Sequence, residues 1–315
     1  MTAPLVSILI PCHNAARYVA AAVEAALAQT WPHVEVVVVN DGSTDESAQV
    51  LSPFERRGVK VIHQENRGQC AAANAAFRAS SGAYVKFLDA DDLINPEAVE
   101  RQMQRLQGSQ AAVASCEWCR FYGDDVNHVD LRPETVWRDM EATDWLVESW
   151  KDAEPMMQCG IWLIPRALLD RSGLWDERLS LINDFEFFAR VLCHATEVRF
   201  TPRARLFYRS GHAGVLSARR DRPAVESAFL SICAGTGHLL ARRSDAAARA
   251  ACANILQSFI YSNYPGHRDL RAAVERRIAE LGGSTLRPRW PPRFEALRRV
   301  AGWKLARRLQ RWFAG

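Results

Sequence analysis

Three carboxylates fall within four residues at Asp89-Ala90-Asp91-Asp92, directly after a short apolar run that reads as a buried strand over residues 84–88. In an extended strand end, residues i and i+2 point the same way, so Asp89 and Asp91 are expected to aim two carboxylates at one point. Two bare carboxylates that close repel each other. A divalent cation removes the penalty, and Mg²⁺ or Mn²⁺ uses one or two carboxylates and completes its shell with phosphate oxygens and water. The cluster therefore predicts a metal–diphosphate ligand. Turn and helix-capping chemistry is the plainer reading, and it covers Asp92.

Other polar groups also sit just after apolar runs. Residues 6–10, Val-Ser-Ile-Leu-Ile, end at Pro11-Cys12-His13-Asn14, and the almost continuous valines of 34–39 end at Asn40-Asp41-Gly42-Ser43. Residues 59–63 lead to Asn66-Arg67-Gly68. Between these runs lie segments with helical spacing, one of them opened by Asn14 as its cap and one by Asn95 with Pro96 at its first position. The alternation predicts a doubly wound α/β unit with parallel, doubly covered strands. In such a sheet the ligand lies beyond the carboxyl ends of the strands, so the four polar loops should converge on one crevice.

The ordered set Val6-Ser7-Ile8-Leu9-Ile10-Pro11-Cys12-His13-Asn14, Val38-Val39-Asn40-Asp41-Gly42-Ser43-Thr44-Asp45, Asn66-Arg67-Gly68 and Phe87-Leu88-Asp89-Ala90-Asp91-Asp92 resembles the family-2 inverting glycosyltransferases of the GT-A fold. The likeness covers about the first 220 residues. It implies a GT-A-type doubly wound mixed sheet flanked by helices, and a hexosyl transfer from a nucleotide sugar, UDP-sugar favoured, with a divalent metal (Mn²⁺ or Mg²⁺). It further implies that Asp41 accepts a hydrogen bond from the nucleobase and that Pro11, Asn14 and Arg67 line the nucleotide pocket. Asp89 would touch the ribose and Asp91 the metal. On local chemistry alone, Asp41 also suits a turn aspartate bonding its own backbone, and Arg67 a surface charge or a phosphate contact.

Inversion needs a base that takes the acceptor hydroxyl's proton. By the resemblance that base is an aspartate in a Glu-Asp pair at a helix start. The matching stretch here is Asn183-Asp184-Phe185-Glu186, which makes Asp184 the candidate and Glu186 the second candidate; Asn183 stands where the family has Glu. A carboxylate in a helix first turn is also favoured by the dipole alone. The stretch Tyr208-Arg209-Ser210-Gly211-His212 is similar to the segment that closes over the diphosphate, which suggests Arg209 as a phosphate contact and His212 as a third metal ligand. Among the tryptophans Trp137, Trp145, Trp150, Trp162 and Trp175, core packing is expected for most, with Trp175 the candidate for stacking on an acceptor sugar. Cys116 and Cys119 have C-x-x-C spacing but no second pair, and read as strand thiols.

Across 315 residues, 48% hydrophobic and 24% charged, disorder and collagen are excluded. The eight cysteines lack framework spacing, which fits a reducing compartment. The short apolar stretch before Pro11, with no basic residue ahead of it, reads as neither a signal peptide nor a membrane span. Three regions are expected: a catalytic domain over 1–220, a helical region over 221–286 and a basic tail helix over 287–315. From Arg287 onward nine basic residues face Glu295 alone, whereas residues 1–286 carry a net charge of −4. Phe294, Leu297, Ala301, Leu305, Leu309 and Trp312 recur at helical spacing between basic residues, so residues 293–313 suit an anionic membrane surface or packing on the helical region. The acidic remainder argues against nucleic acid. The expected protein is cytoplasmic, peripheral on the inner face of the membrane where the tail binds it, and acts on a glycan or lipid-linked acceptor in bacterial surface polysaccharide or glycolipid synthesis. The competing readings are a sugar-phosphate nucleotidyltransferase, disfavoured by the absence of glycine after the first strand, and a non-catalytic nucleotide-sugar-binding protein.

Overall fold

The computed structural model describes residues 3–126, 129–211, 219–287 and 302–309. Its first half is built as the alternation requires. Strands β1 (Val6–Cys12), β2 (Val34–Asp41), β3 (Lys60–Gln64) and β4 (Tyr84–Phe87) alternate with helices α1 (Val19–Leu27), α2 (Ser47–Glu55) and α3 (Gln69–Ala79). The four strands are parallel in the order β3-β2-β1-β4. The chain steps outward from β1 to β3, then crosses back to the other side of β1. This places a topological switch point between β1 and β4, where strand-end loops diverge and leave a crevice. The centre of β1 is fully buried, as are the β2 valines from Val37 to Val39, which explains their unbroken apolar character.

After β5 (Leu93–Ile94) and α4 (Ala98–Leu106), the chain forms a second sheet. Strand β6 (Val113–Tyr122) pairs in parallel with the long β9 (Glu197–Ser210), which also pairs with β5 and with β7 (Met140–Glu141). β6 is ten residues long and β9 fourteen. β9 begins Glu197-Val198-Arg199-Phe200-Thr201, with buried residues interleaved with more exposed ones along its length. Residues 159–165 divide into a 3₁₀ turn over Cys159–Ile161 and a two-residue antiparallel edge strand, β8 (Ile164–Pro165), beside β4.

Between these strands lie α5 (Ala142–Trp150), α6 (Arg166–Ser172) and α7 (Asn183–His194). Three helices follow: α8 (Arg222–Arg242), α9 (Ala246–Asn263) and α10 (Arg268–Glu280), with breaks where the sequence places Ser244 and Pro265-Gly266. By length and composition α8 is apolar enough to cross a membrane, yet half of its apolar window is buried inside the protein. It packs on α7 through Gly235, where a Cβ would lie 2.6 Å from the Phe185 ring. The glycine's cost of about 1 kcal/mol in a helix interior is accepted for that close approach.

Two expected caps are corrected. Asn14 lies in the left-handed region with φ 49° and sits well before α1, whose cap position is Tyr18. Asn95 is displaced from the cap of α4 by Glu97; its side chain instead accepts from Arg205 N at 2.7 Å and donates to Arg203 O at 3.0 Å, tying the turn to β9.

Most of the expected core tryptophans are core residues. Trp145 packs edge-on to Trp162 at 5.0 Å, Trp150 stacks on Phe185 at 4.6 Å, and the half-buried Trp137 stacks on Phe200 at 5.6 Å. Cys116 and Cys119 are buried free thiols on β6.

Candidate functional site

The loops after β1, β2 and β3 are sewn together by side chains. Asn14 Oδ1 accepts from Thr44 N at 2.7 Å, and Ser43 Oγ accepts from Asn14 N at 3.0 Å. Asp41 ends β2 and is only 2% exposed. Its carboxylate accepts from Arg67 N at 2.9 Å, Gly68 N at 2.8 Å and Gln64 Nε2 at 2.7 Å. It therefore does not bond its own turn: it holds the neighbouring loop and the start of α3. Three of about four acceptor sites on the carboxylate are used. Gly42, with φ 65°, permits the approach, because a Cβ there would lie 2.5 Å from Asn66 N. Pro11 sits on β1 opposite Val39. Arg67 extends outward and donates to Glu177 Oε2 at 3.0 Å.

At the end of β4 the backbone turns instead of staying extended, with Asp92 N donating to Asp89 O at 3.1 Å. The carboxylates converge all the same: one oxygen each of Asp89, Asp91 and Asp92 lies within 4.8 Å of the others. Asp92 is neither a cap nor a solvated turn residue. It is fully buried and accepts from Arg209 N at 2.8 Å and Gln158 Nε2 at 2.6 Å. Asp89 accepts from Gln69 Nε2 at 2.8 Å and from the same Gln158 amide at 3.0 Å. Burial, then the charge of Asp91, pushes both Asp89 and Asp92 above the ordinary carboxylate range. A crowded, desolvated set of carboxylate oxygens has the chemistry that suits a hard divalent cation.

Asp184 opens α7. It is partly accessible and lines a cavity of about 460 Å³ together with Gln158 and Tyr208. Burial, then the charge of Asp89, raises its carboxyl well above the usual range. That field joins the two acidic centres electrostatically, and a chain of amides joins them physically. Asn183 Nδ2 donates to Gln69 Oε1 at 3.2 Å, which turns the Gln69 amide so that its NH₂ faces Asp89. Asn183 therefore serves as a donor in this network, a role that a carboxylate at the same position would not fill. The residue before it, Ile182, has φ 59°, an uncommon conformation for a β-branched side chain, and its carbonyl accepts from Ser231 Oγ at 2.5 Å.

The remaining expected site residues are placed elsewhere. Glu186 faces away from the cavity, buried and bonded to Arg190 Nε at 2.7 Å and His238 Nε2 at 3.0 Å. Trp175 is 6% exposed and stacks on Phe187 at 3.8 Å between centroids, so it belongs to the core and presents no face to a sugar. Arg209 is also buried. Its guanidinium lies between the rings of Tyr18 and Phe121, at 4.6 and 4.4 Å, and bonds Asp91 O at 2.8 Å, Gly123 O and Asp124 Oδ1. It braces the aspartate turn from beneath. His212 lies outside the described residues.

Gln69 and Gln158 went unread in the sequence, and Tyr208 was read only as part of a longer stretch, with no role of its own. Gln69 at a helix start after Arg67-Gly68 carries a weak signal; Gln158, on an aperiodic stretch, carries none. Burial, then the nearby aspartates, pushes the Tyr208 phenol up to about 12.

Comparison with known proteins bears on this geometry. A family model, glycosyl transferase family 2, matches residues 7–173. The chain is similar to the uncharacterized glycosyltransferase EpsJ of Bacillus subtilis (strain 168), 27% identical over 213 residues, 65% of this chain and 61% of that one. It thus spans about three-fifths of that relative's length. In fold it is similar to S. aureus TarS 1–349, with a TM-score of 0.66 at 18% identity, over 88% of this chain and 80% of that one. The same TarS fragment in complex with UDP-GlcNAc matches with a TM-score of 0.61 at 17% identity, over 88% of each chain.

Proposed function

Because the chain belongs to glycosyl transferase family 2, we propose that it transfers a sugar from a nucleoside-diphosphate sugar to an acceptor hydroxyl with inversion, Asp184 acting as the general base. The observation that carries this reading is the placement of Asp184 on a cavity wall beside Gln158, the residue whose amide also touches Asp89 and Asp92. Gln158 thus stands between the acidic turn and the cavity that Asp184 lines.

In this reading Asp184 takes the proton of the acceptor hydroxyl. The freed oxygen attacks the anomeric carbon from the face opposite the diphosphate, a bond to that carbon forms, and the carbon–oxygen bond to the diphosphate breaks. A raised carboxyl basicity suits the role, because a general base works best with a pKa near the operating pH. Asp41, Pro11, Asn14 and Arg67 border the strand-end crevice and serve the nucleotide, with one acceptor site of Asp41 open to a base N–H; Asp89 serves the ribose. A divalent cation bound by Asp91, with His212 a further candidate ligand, would supply positive charge to the departing diphosphate. UDP-sugar is the favoured donor, and the UDP-GlcNAc bound to the structurally similar TarS supports it.

The family match ends at residue 173, and we assign the catalytic unit to 1–220, the helical region to 221–286 and the basic tail to 287–315. Within the tail, Trp303 meets Tyr261 at 4.8 Å and Tyr264 at 5.1 Å, which supports packing on α9, while Leu305 is 45% exposed. A cytoplasmic site of action, with the tail on an anionic membrane surface during surface polysaccharide or glycolipid synthesis, fits these features. The test is a panel of UDP-, GDP- and dTDP-sugars with and without Mn²⁺, read by thermal shift and by slow hydrolysis. One donor class should raise the melting temperature and release nucleoside diphosphate and free sugar. Release of pyrophosphate would replace the reading with a nucleotidyltransferase, and absence of both binding and turnover would remove it.

A further inference from the structure

The proposed base stands on the first turn of α7, and that turn is completed by another helix. Ile182, just before it, has φ 59°, a left-handed conformation that a β-branched residue keeps only where its surroundings impose it. The Ile182 carbonyl is the first acceptor of α7, with Phe185 N donating to it at 3.1 Å. In a regular helix Glu186 N would donate to the same oxygen. Here Glu186 N donates instead to Ser231 Oγ at 3.2 Å, and Ser231 Oγ donates to Ile182 O at 2.5 Å. A hydroxyl from α8 therefore stands inside the first link of α7, the link that spans Asn183, Asp184 and Phe185. A side chain inserted in this way opens or bends a helix.

The same side of α8 continues the grip. Four residues earlier, Ser227 Oγ accepts from Ser180 N at 2.8 Å and Leu181 N at 2.9 Å and donates to Leu181 O at 3.1 Å, which uses every hydrogen-bonding site of the hydroxyl. Four residues later, Gly235 lets the Phe185 ring approach. Every fourth residue lies along one side of a helix, so these three positions act on 180–186 together. Ser227 is 3% exposed and Ser231 fully buried, so solvent competes for neither hydroxyl.

The Asp184 carboxylate has no comparable tether. No described residue donates a hydrogen bond to it, and its neighbours on the cavity wall include the buried Phe185, Ile232, Ile255 and Phe259. Its place is set by the backbone of its turn. We infer that Ser231, supported by Ser227, is a positioning residue for the base: the hydroxyl holds the first turn of α7 open, and the opened turn presents Asp184 to the cavity. This inference rests on the reading of Asp184 as the base and adds that α8, beyond the family match ending at residue 173, sets where that base stands. Loss of the hydroxyl does not strand the two backbone groups, because Glu186 N can then donate directly to Ile182 O. The turn closes to a regular one and carries Asp184 with it. A displacement of about 1 Å at a reacting group costs up to about 10²-fold in rate.

The test uses the full chain with Mn²⁺ and the fastest-hydrolysed of UDP-GlcNAc, GDP-mannose and dTDP-glucose, water taking the place of the acceptor hydroxyl. Ser231→Ala should melt cooperatively, keep its affinity for that nucleotide sugar within about twofold by calorimetry, and lose about 10- to 10²-fold in kcat. Ser227→Ala should lower kcat in the same direction by a smaller factor, and serves where Ser231→Ala does not fold. A purely structural part would lower the rate by the same factor whatever residue stands at position 184. Positioning predicts that in an Asp184→Asn background Ser231→Ala changes kcat by less than about twofold. Additive losses in that background, an unchanged kcat in both folded serine variants, or a fall in affinity as large as the fall in kcat each overturn the inference, while loss of turnover in Asp184→Asn keeps the base reading standing. A kcat unchanged by Asp184→Asn overturns the base reading, and no turnover of any of the three sugars overturns the donor reading.

Discussion

The strand-end loops and the helical cavity are linked by Gln158, which bonds Asp89 and Asp92 and lines the cavity, but they are built by different physics. In the crevice, carboxylates are held by hydrogen bonds from backbone and amide groups of neighbouring loops, as Asp41 is by Arg67 N and Gly68 N and Asp92 is by Arg209 N. In the cavity, the walls are side chains whose positions follow from how α7, α8 and α9 pack. A hydrogen-bonded loop set by sheet topology gives a pocket with little freedom to change, suited to a ligand of constant chemistry. Packed apolar helices can change size by single substitutions and suit the variable partner.

The largest effect expected from breaking this division is at its seam. Asp184→Asn should lower transfer by about 10²- to 10⁴-fold, the usual contribution of a positioned base, while nucleotide binding stays near wild type. An equal fall in nucleotide affinity, measured by calorimetry, would show that the two regions share one function.

Next is the frame beneath α7. Glu186→Ala leaves the part-buried Arg190 without its carboxylate, with only the Ser172 and Leu174 carbonyls as partners, and should cost about 1–3 kcal/mol in denaturant unfolding. Burial alone would raise the Glu186 carboxyl, but hydrogen bonds from His238 and Arg190 outweigh it and hold it below its ordinary value. A depressed folded value means stability that is present above the ordinary carboxylate range and lost as pH falls through the lowered value. Glu186→Gln should therefore flatten that part of the acid limb. An unchanged acid limb would remove Glu186 from the account.

A pair of glycines sharpens the role of helix packing. Gly235→Ala should destabilise by about 1–3 kcal/mol, because its Cβ meets Phe185. Gly237→Ala, with nothing within 4 Å, should stabilise by about 0.5–1 kcal/mol. Equal shifts in thermal melting would mean that α8 does not rest on α7 at that point. The smallest effect is expected at Leu305→Ser, which should alter stability by less than about 0.5 kcal/mol yet reduce association with anionic vesicles if the tail binds them.

Much of the crevice was legible because strand ends announce themselves. Continuous apolar runs stop at Pro11, Asn40 and Asp89, and a parallel sheet brings those stops to one side. The same reasoning misjudged side chains whose partners are distant in sequence. Arg209 looked like a phosphate ligand and is a brace between Tyr18 and Phe121; Glu186 looked like a spare base and is an ion-pair partner. Asn14 and Asn95 have capping chemistry, yet both spend it on other elements. Lys86, read only as part of a strand, is fully buried and donates to Gln102 Oε1 at 3.0 Å, a pairing that no local pattern reveals.

Periodicity and punctuation alone determined the alternating first half, the helical character of the region after residue 221, and the acidic turn after the fourth strand. These depend on local backbone preference and on which face of an element is apolar, and both are written along the chain. Only the tertiary structure decided that Asp92 is buried beneath the turn, that Gln69 and Gln158 hold Asp89, and that Asp184 opens onto an apolar cavity while Glu186 does not. The direction a side chain faces, and the partner it finds, are set by contacts between residues up to more than a hundred positions apart, such as Asn183 and Gln69.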